Sequence, residues 1–177
     1  GCKKHCYQSG IMVNDLGKRF VDEGADLRNY TYAKYGRIIL QQPDQYAWQV
    51  FDSKVIPLLR DEYRIKQVTK VTANTIEELG EKMGIAVPAF VAEVKAYNDA
   101  VQTDKPFNLS VKDGRGTSNL AVPKSNWANT LDEPPFEAYQ VGCGITFTFG
   151  GLRIAPETAQ VLDNDLEPIP GLYAAGE

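Results

Sequence analysis

Histidine is almost missing from this sequence: His5 is the only one in 177 residues. A Ser-His-Asp or Cys-His nucleophile would have to run through that single imidazole near the start of the chain, which sets both chemistries aside. Cysteine is nearly as scarce. Cys2, Cys6 and Cys143 cannot all pair with one another, so no disulfide framework is expected, and reduced thiols in a cytoplasmic protein are. The run Cys2-x-x-His5-Cys6 invites a metal reading, but a structural zinc site needs four ligands and only Cys143 is left to complete it. No metal is expected. Long apolar runs are lacking too. The longest, from Ile85 to Ala92, is broken by Pro88 and falls far short of the roughly 20 residues that cross a bilayer. Residues 1–10 are polar and basic, without the apolar stretch of a secretory leader. A basic excess is also absent: 19 Lys+Arg face 23 Asp+Glu, a net charge of −4, which argues against a nucleic-acid partner.

What is present is ordinary for a globular domain, with 43% hydrophobic and 24% charged residues, enough to bury a core. Ile11-Met12-Val13, the turn residues Asn14 to Gly17 and the return Arg19-Phe20-Val21 predict a hairpin over 10–21. A helix is expected over 30–40, stopped by Pro43, then a strand over 45–51 and a short helix capped by Asp52-Ser53. Thr75-x-x-Glu78 fits a capping box for a helix ending near Gly84. Pro88 suits a first turn, and Phe90, Val94, Tyr97 and Val101 recur as one apolar stripe of about fifteen helical residues. That stripe reads as core. Residues 102–135 are loop-rich, and a long ordered loop is often functional. Strands are expected over 137–141, 145–149, 152–154, 160–163 and 172–175. The sum is an α+β chain, β at both ends and helical in the middle. It stops at Ala174-Ala175-Gly176-Glu177, a strand end of small residues, and is expected to be a piece of something larger.

Two stretches are cationic and free of acids. From Leu27 to Pro43 lie Arg28, Lys34 and Arg37; from Gly114 to Leu131 lie Arg115 and Lys124. In a net-negative protein such stretches suggest a site for a carboxylate-rich anion. On the first helix Tyr30, Lys34, Arg37 and Gln41 share a face, opposite Tyr32, Tyr35 and Ile39. The adjacent glycines of Thr148-Phe149-Gly150-Gly151 would let a backbone lie close to another backbone or to a flat ligand.

Gly10-Ile-Met-Val-Asn14 with Gly17-Lys-Arg-Phe-Val-Asp-Glu23, then Thr148 to Gly151, then Pro170-Gly-Leu-Tyr-Ala-Ala-Gly-Glu177, resembles the FAD-dependent fumarate reductase/succinate dehydrogenase flavoprotein superfamily over essentially the whole chain. Arg28 to Arg37 and Pro123-Lys-Ser-Asn-Trp-Ala128 look most like its tricarballylate dehydrogenase branch. The resemblance implies a helical capping domain, residues 25–140, inserted between β segments 1–24 and 141–177 that belong to an FAD-binding domain. It implies oxidation of a CH–CH bond of a polycarboxylate, tricarballylate to cis-aconitate first. Arg28, Tyr30, Tyr32, Lys34, Arg37, Ser125, Asn126 and Thr148 would bind substrate, and Gly150, Gly151, Gly176 and Glu177 would line the flavin. Lys124 would be the acid/base group, since it falls near the stretch where fumarate reductases carry a proton-transferring arginine. An electron-acceptor protein or quinone is the implied partner, besides the rest of the FAD-binding domain.

The family's His-x-Thr-Met-Gly-Gly reads here as Thr146 to Gly151, without the histidine. Its Glu-x-x-x-Arg-Tyr-Asn reads as Ala92 to Asn98, with alanine at both charged positions. These departures speak against fumarate reduction through that relay. The Gly-x-Gly-x-x-Gly fingerprint is absent, so this chain alone is expected to be colourless and inactive. The rival readings are another fumarate reductase-like flavoprotein, either a fumarate reductase or a 3-ketosteroid dehydrogenase with an apolar pocket, and a non-enzymatic binding module.

Overall fold

The computed structural model describes residues 4–144 and 150–176. The chain divides into two compact units, Gly1–Cys143 and Gly144–Glu177. The first is built on a four-stranded antiparallel sheet of β1 (Ile11–Val13), β2 (Tyr46–Phe51), β3 (Lys70–Ala73) and β4 (Phe136–Gly142), in the order β1-β2-β4-β3. Alternation along the strands gives the sheet two apolar faces. Ile11, Val13, Trp48, Val50 and Ala138 point to one side, where α2 (Ile76–Met83) and α3 (Val87–Ala100) cover them with Leu79, Met83, Phe90, Val94 and Tyr97. Met12, Ala47 and Val141 point to the other, against Tyr35 and Ile39 of α1 (Arg28–Leu40). Further along that face Phe51 and Tyr139 meet Tyr63, ring against ring.

The local signals act as their chemistry requires. Thr75 Oγ1 accepts the Glu78 N–H at 3.1 Å, and the Glu78 carboxylate accepts the N–H of Asn74, one residue before the cap. Gly84 closes α2 in the left-handed region, φ 70. Pro88 sits in the first turn of α3. Phe90, Val94 and Tyr97 are buried as a stripe, each contributing about 1.5–3 kcal/mol by burial. The hairpin over 10–21 closes through the Val13–Arg19 bridge around Gly17, whose φ is 70. A Cβ there would lie 2.6 Å from the Phe90 N, so the turn is pressed against the start of α3.

The mixed α+β class stands, but the middle is less helical than expected. β2 and β3 both lie in it, and β3 is a short edge strand of mostly exposed residues with no apolar run to announce it. The boundary expected at 140/141 falls inside β4. The short helix expected after Asp52 is a single 3-10 turn, Ile56–Leu58. Residues 102–135 form an ordered loop, held near its base by the Val101–Thr117 bridge.

In the second unit β5 (Gln160–Leu162) pairs antiparallel with β6 (Pro168–Tyr173), and Ile154 bridges to Val161. The strand expected over 145–149 lies outside the described residues. No described helix is long and apolar enough to cross a membrane.

Candidate functional site

The polar centre of the first unit lies where the hairpin, the start of α1 and the loop 113–128 converge. Its heart is a buried ion pair, Arg19 with Glu23, neither side chain exposed. Glu23 Oε2 accepts Arg19 Nη2 at 2.6 Å. Its Oε1 accepts Arg19 Nε at 3.1 Å and the Met12 N–H at 2.7 Å, so the pair is welded to β1. The guanidinium also donates to the Val122 and Pro123 carbonyls, at 2.7 and 3.2 Å, and lies 5.1 Å from the Tyr97 ring centre. Burial works against the charge of Arg19, but the charge and hydrogen bonds of Glu23 outweigh it and raise its pKa. Burial likewise pushes the Tyr97 phenol up.

Lys124 is fully buried beside this pair, its ammonium donating to the Gly10 carbonyl. Burial lowers its pKa to about 8, with Glu23 opposing and Arg19 adding to the fall. Such a value suits acid/base work, yet the ammonium is directed at backbone inside the fold. Here Lys124 ties the loop to the start of β1. The sequence spacing could not distinguish this from a solvent-facing lysine.

Its neighbours serve the same frame. Ser125 donates its N–H and hydroxyl to the Asp22 carboxylate at 2.9 and 2.5 Å. Asn126 bonds the backbone of Gly24 and Gly114. Arg115 donates to the carbonyls of Ala128 and Lys105 at 2.7 and 2.6 Å. Among the candidate substrate ligands of α1, Tyr30, Lys34 and Arg37 stand on its exposed face and Arg28 is half-buried. None of these three cations has an ion pair among the described residues. Tyr32 packs its ring 5.3 Å from that of His5. Thr148 and Glu177 lie outside the described residues.

Thus Lys124, Ser125 and Asn126 are brought together with residues 22–24, while the outward face of α1 stands apart. Arg19, Asp22, Glu23 and Asp113 were not singled out as site residues. The first three carry one sequence signal, the motif from Gly17 to Glu23; Asp113 lies in the turn-forming run from Lys112 to Gly116. Ala92 and Ala96, which suggested a lost relay, are exposed on α3, and Glu93 between them pairs with Lys18 at 3.3 Å. No group of described His, Cys, Asp or Glu side chains could hold a metal ion.

Residues 2–177 match the family described as FAD binding domain. The chain belongs to that family. Among its relatives, the NADH:fumarate oxidoreductase of Klebsiella pneumoniae (strain 342) is 36% identical over 171 residues, covering 94% of this chain and 16% of that protein. The fumarate reductase (cytochrome) of Shewanella frigidimarina is 32% identical over 169 residues, covering 94% and 26%. In fold the chain is similar to the open conformation of a flavocytochrome c3 fumarate reductase, with TM-score 0.74 and 29% identity, over 98% of this chain and 28% of that one. The chain therefore spans only about a sixth to a quarter of these relatives, and it falls within the fumarate reductase-like flavoproteins.

FAD is accordingly the cofactor of the full-length protein. Gly150, Gly151 and Gly176 lie in open space, since a Cβ at any of them would meet nothing within 4 Å, and Gly150 and Gly176 hold φ of 102 and 96. The phosphate-cradling fingerprint lies nowhere in this sequence.

Proposed function

We propose that this chain is the substrate-capping part, residues 25–140, with flanking β segments 1–24 and 141–177, of a cytoplasmic FAD-dependent dehydrogenase. The enzyme oxidises a CH–CH bond of a polycarboxylate, and tricarballylate to cis-aconitate is the leading case. The observation that carries the substrate class is the set of α1 cations, Arg28, Lys34 and Arg37, without an ion pair among the described residues in a stretch without acids. Carboxylates entering a closed site lose hydration and need charge-assisted hydrogen bonds, each contributing about 1.5–3 kcal/mol. Cations holding a carboxylate also acidify the neighbouring C–H, easing removal of its proton. Bound FAD would supply the hydride acceptor, and Gly150, Gly151, Gly176 and Glu177 are the residues of this chain that would line it. The electrons leave to a protein or quinone acceptor.

The fumarate reductases among the relatives favour a second reading at the same site, reduction of a fumarate-like acid. Flavin bleaching of the full-length enzyme by a panel of saturated di- and tricarboxylates separates the two. Bleaching by tricarballylate at submillimolar concentration supports the first. Reoxidation of reduced enzyme by fumarate, with no bleaching, supports the second. Bleaching only by a ketosteroid removes the polycarboxylate class altogether.

A further inference from the structure

Three large apolar side chains stand in solvent around the start of α1: Leu27 is 40% exposed, Tyr30 75% and Val111 53%. The ion pair of Asp26 with Lys112, at 3.3 Å, draws them together, because Leu27 follows Asp26 and Val111 precedes Lys112. Both are anchored. The Leu27 N–H donates to Asp26 Oδ1 at 2.8 Å, and the Val111 carbonyl accepts the Trp127 indole N–H at 2.7 Å. Tyr30 lies one turn on, its N–H donating to the Leu27 carbonyl at 2.9 Å.

Leu27 is also the N-cap of α1, and its side chain accepts no hydrogen bond from the first turn. Leucine is among the poorest residues at that position, where Ser, Thr, Asp and Asn are favoured. Burial within this unit does not offset the choice, since the side chain faces water. Local rules are broken in this way where a residue serves another purpose. Arg28 follows directly and is half-buried. The patch is small: three part-exposed side chains fall well short of the roughly 800 Å² that each partner contributes to a stable complex of separate chains, which speaks against a second copy. A surface tethered within the same protein needs far less area, because its effective concentration is high. This chain spans about a sixth to a quarter of its relatives, so a protein of their length has that surface to supply.

We infer that Leu27, Tyr30 and Val111 form an apolar seal that closes on the FAD-bearing part of the full-length protein outside this chain, shutting water out around Arg28. This rests on the capping reading above. An apolar centre with the Asp26–Lys112 pair at its edge has the make-up of a contact that opens and closes. Expelling water strengthens every charge-assisted bond inside the site and keeps solvent from the reduced flavin.

The test uses full-length holoenzyme, wild type and with Leu27→Ser or Val111→Ser, by iodide quenching of flavin fluorescence without added substrate. Each variant opens the seal and should raise the quenching constant at least about twofold. Serine is the better N-cap, so Leu27→Ser should do this while keeping or raising the melting temperature. Amide hydrogen exchange in segments 25–30 and 109–113 should quicken in both variants; for Leu27→Ser this marks lost cover, since its helix is better capped. Unchanged quenching in both variants overturns the seal. A lower melting temperature for Leu27→Ser with unchanged quenching shows that Leu27 packs within its own unit. A wild-type dimer that both variants dissociate, again with unchanged quenching, assigns the patch to a second copy. If neither succinate nor tricarballylate bleaches the wild-type flavin, the polycarboxylate reading fails, and the quenching comparison still decides the seal.

Discussion

Replacing Lys124 with Met should flatten the pH dependence of stability between pH 7 and 9. The ammonium has been moved by burial from an ordinary 10.5 to about 8, so holding it charged inside the fold costs about 3 kcal/mol. Below pH 8 both folded and unfolded chains carry the proton, and the whole cost is present. As pH rises from 8 towards 10.5 the folded chain releases its proton first, while the unfolded chain still binds one. Stability must therefore rise over that window, by on the order of 1 kcal/mol between pH 7 and 9. Buried thiol and phenol groups oppose it at higher pH: burial raises the Cys6 thiol above 9.0, pushes the Tyr7 phenol up to about 12 and raises Tyr35, Tyr63 and Tyr97 as well. The difference between wild type and Lys124→Met removes those contributions. The substitution also leaves the Gly10 carbonyl without this donor, at about 1–3 kcal/mol, so the two proteins should have similar stability at pH 7. Urea unfolding followed by the emission of the buried Trp48 and Trp127 reads the difference. Parallel stability curves from pH 7 to 9 would mean that Lys124 is solvated, and the frame built around it would be wrong.

Three further outcomes are expected. Arg19→Met should destabilise the chain by about 3–5 kcal/mol in the same unfolding assay, because it leaves Glu23 charged and buried without its partner; the double variant Arg19→Met/Glu23→Leu should recover much of that loss. Thr75→Ala should cost about 1 kcal/mol by removing the cap of α2. In the full-length enzyme, Arg37→Ala should lower kcat/KM for a tricarboxylate at least about tenfold, roughly 1.4 kcal/mol, while the melting temperature and FAD content stay at wild-type values, since Arg37 is exposed; unchanged kinetics would leave the α1 cations as solvated surface.

How far the sequence reaches depends on the range of the interaction that fixes each element. The cap at Thr75, the left-handed Gly84 and the stripe of Phe90, Val94 and Tyr97 are settled within a few residues, and all were legible. β3 is stabilised by its pairing with β4, where Val71 faces Ala138, a contact that no local pattern of Lys70 to Ala73 announces. The same holds for the site. Lys124, Ser125 and Asn126 could be picked out as a dense polar cluster. Their partners Gly10, Asp22 and Gly24 come from a segment about a hundred residues away, so exposed ligands and internal braces looked alike. The face of α1 was readable because helical periodicity is local; the acid/base assignment was not, because it turns on which way one long side chain is buried.

The long loop carries a consequence for how such a chain diversifies. Its deeper half is fastened by side chains, chiefly Asp113, Arg115, Asn126 and Trp127, gripping main-chain atoms. Main-chain partners are supplied by every residue type, so a gripped position is held to its residue only where, as at Gly24, a Cβ would collide with the brace. Residues 104–112 are largely exposed; the carbonyls of Lys105, Asn108 and Val111 meet this scaffold, and Phe107 and Lys112 add the side-chain contacts to it. Lineages can therefore rewrite that tip, in length as well as in side chains, without retuning the brace beneath it.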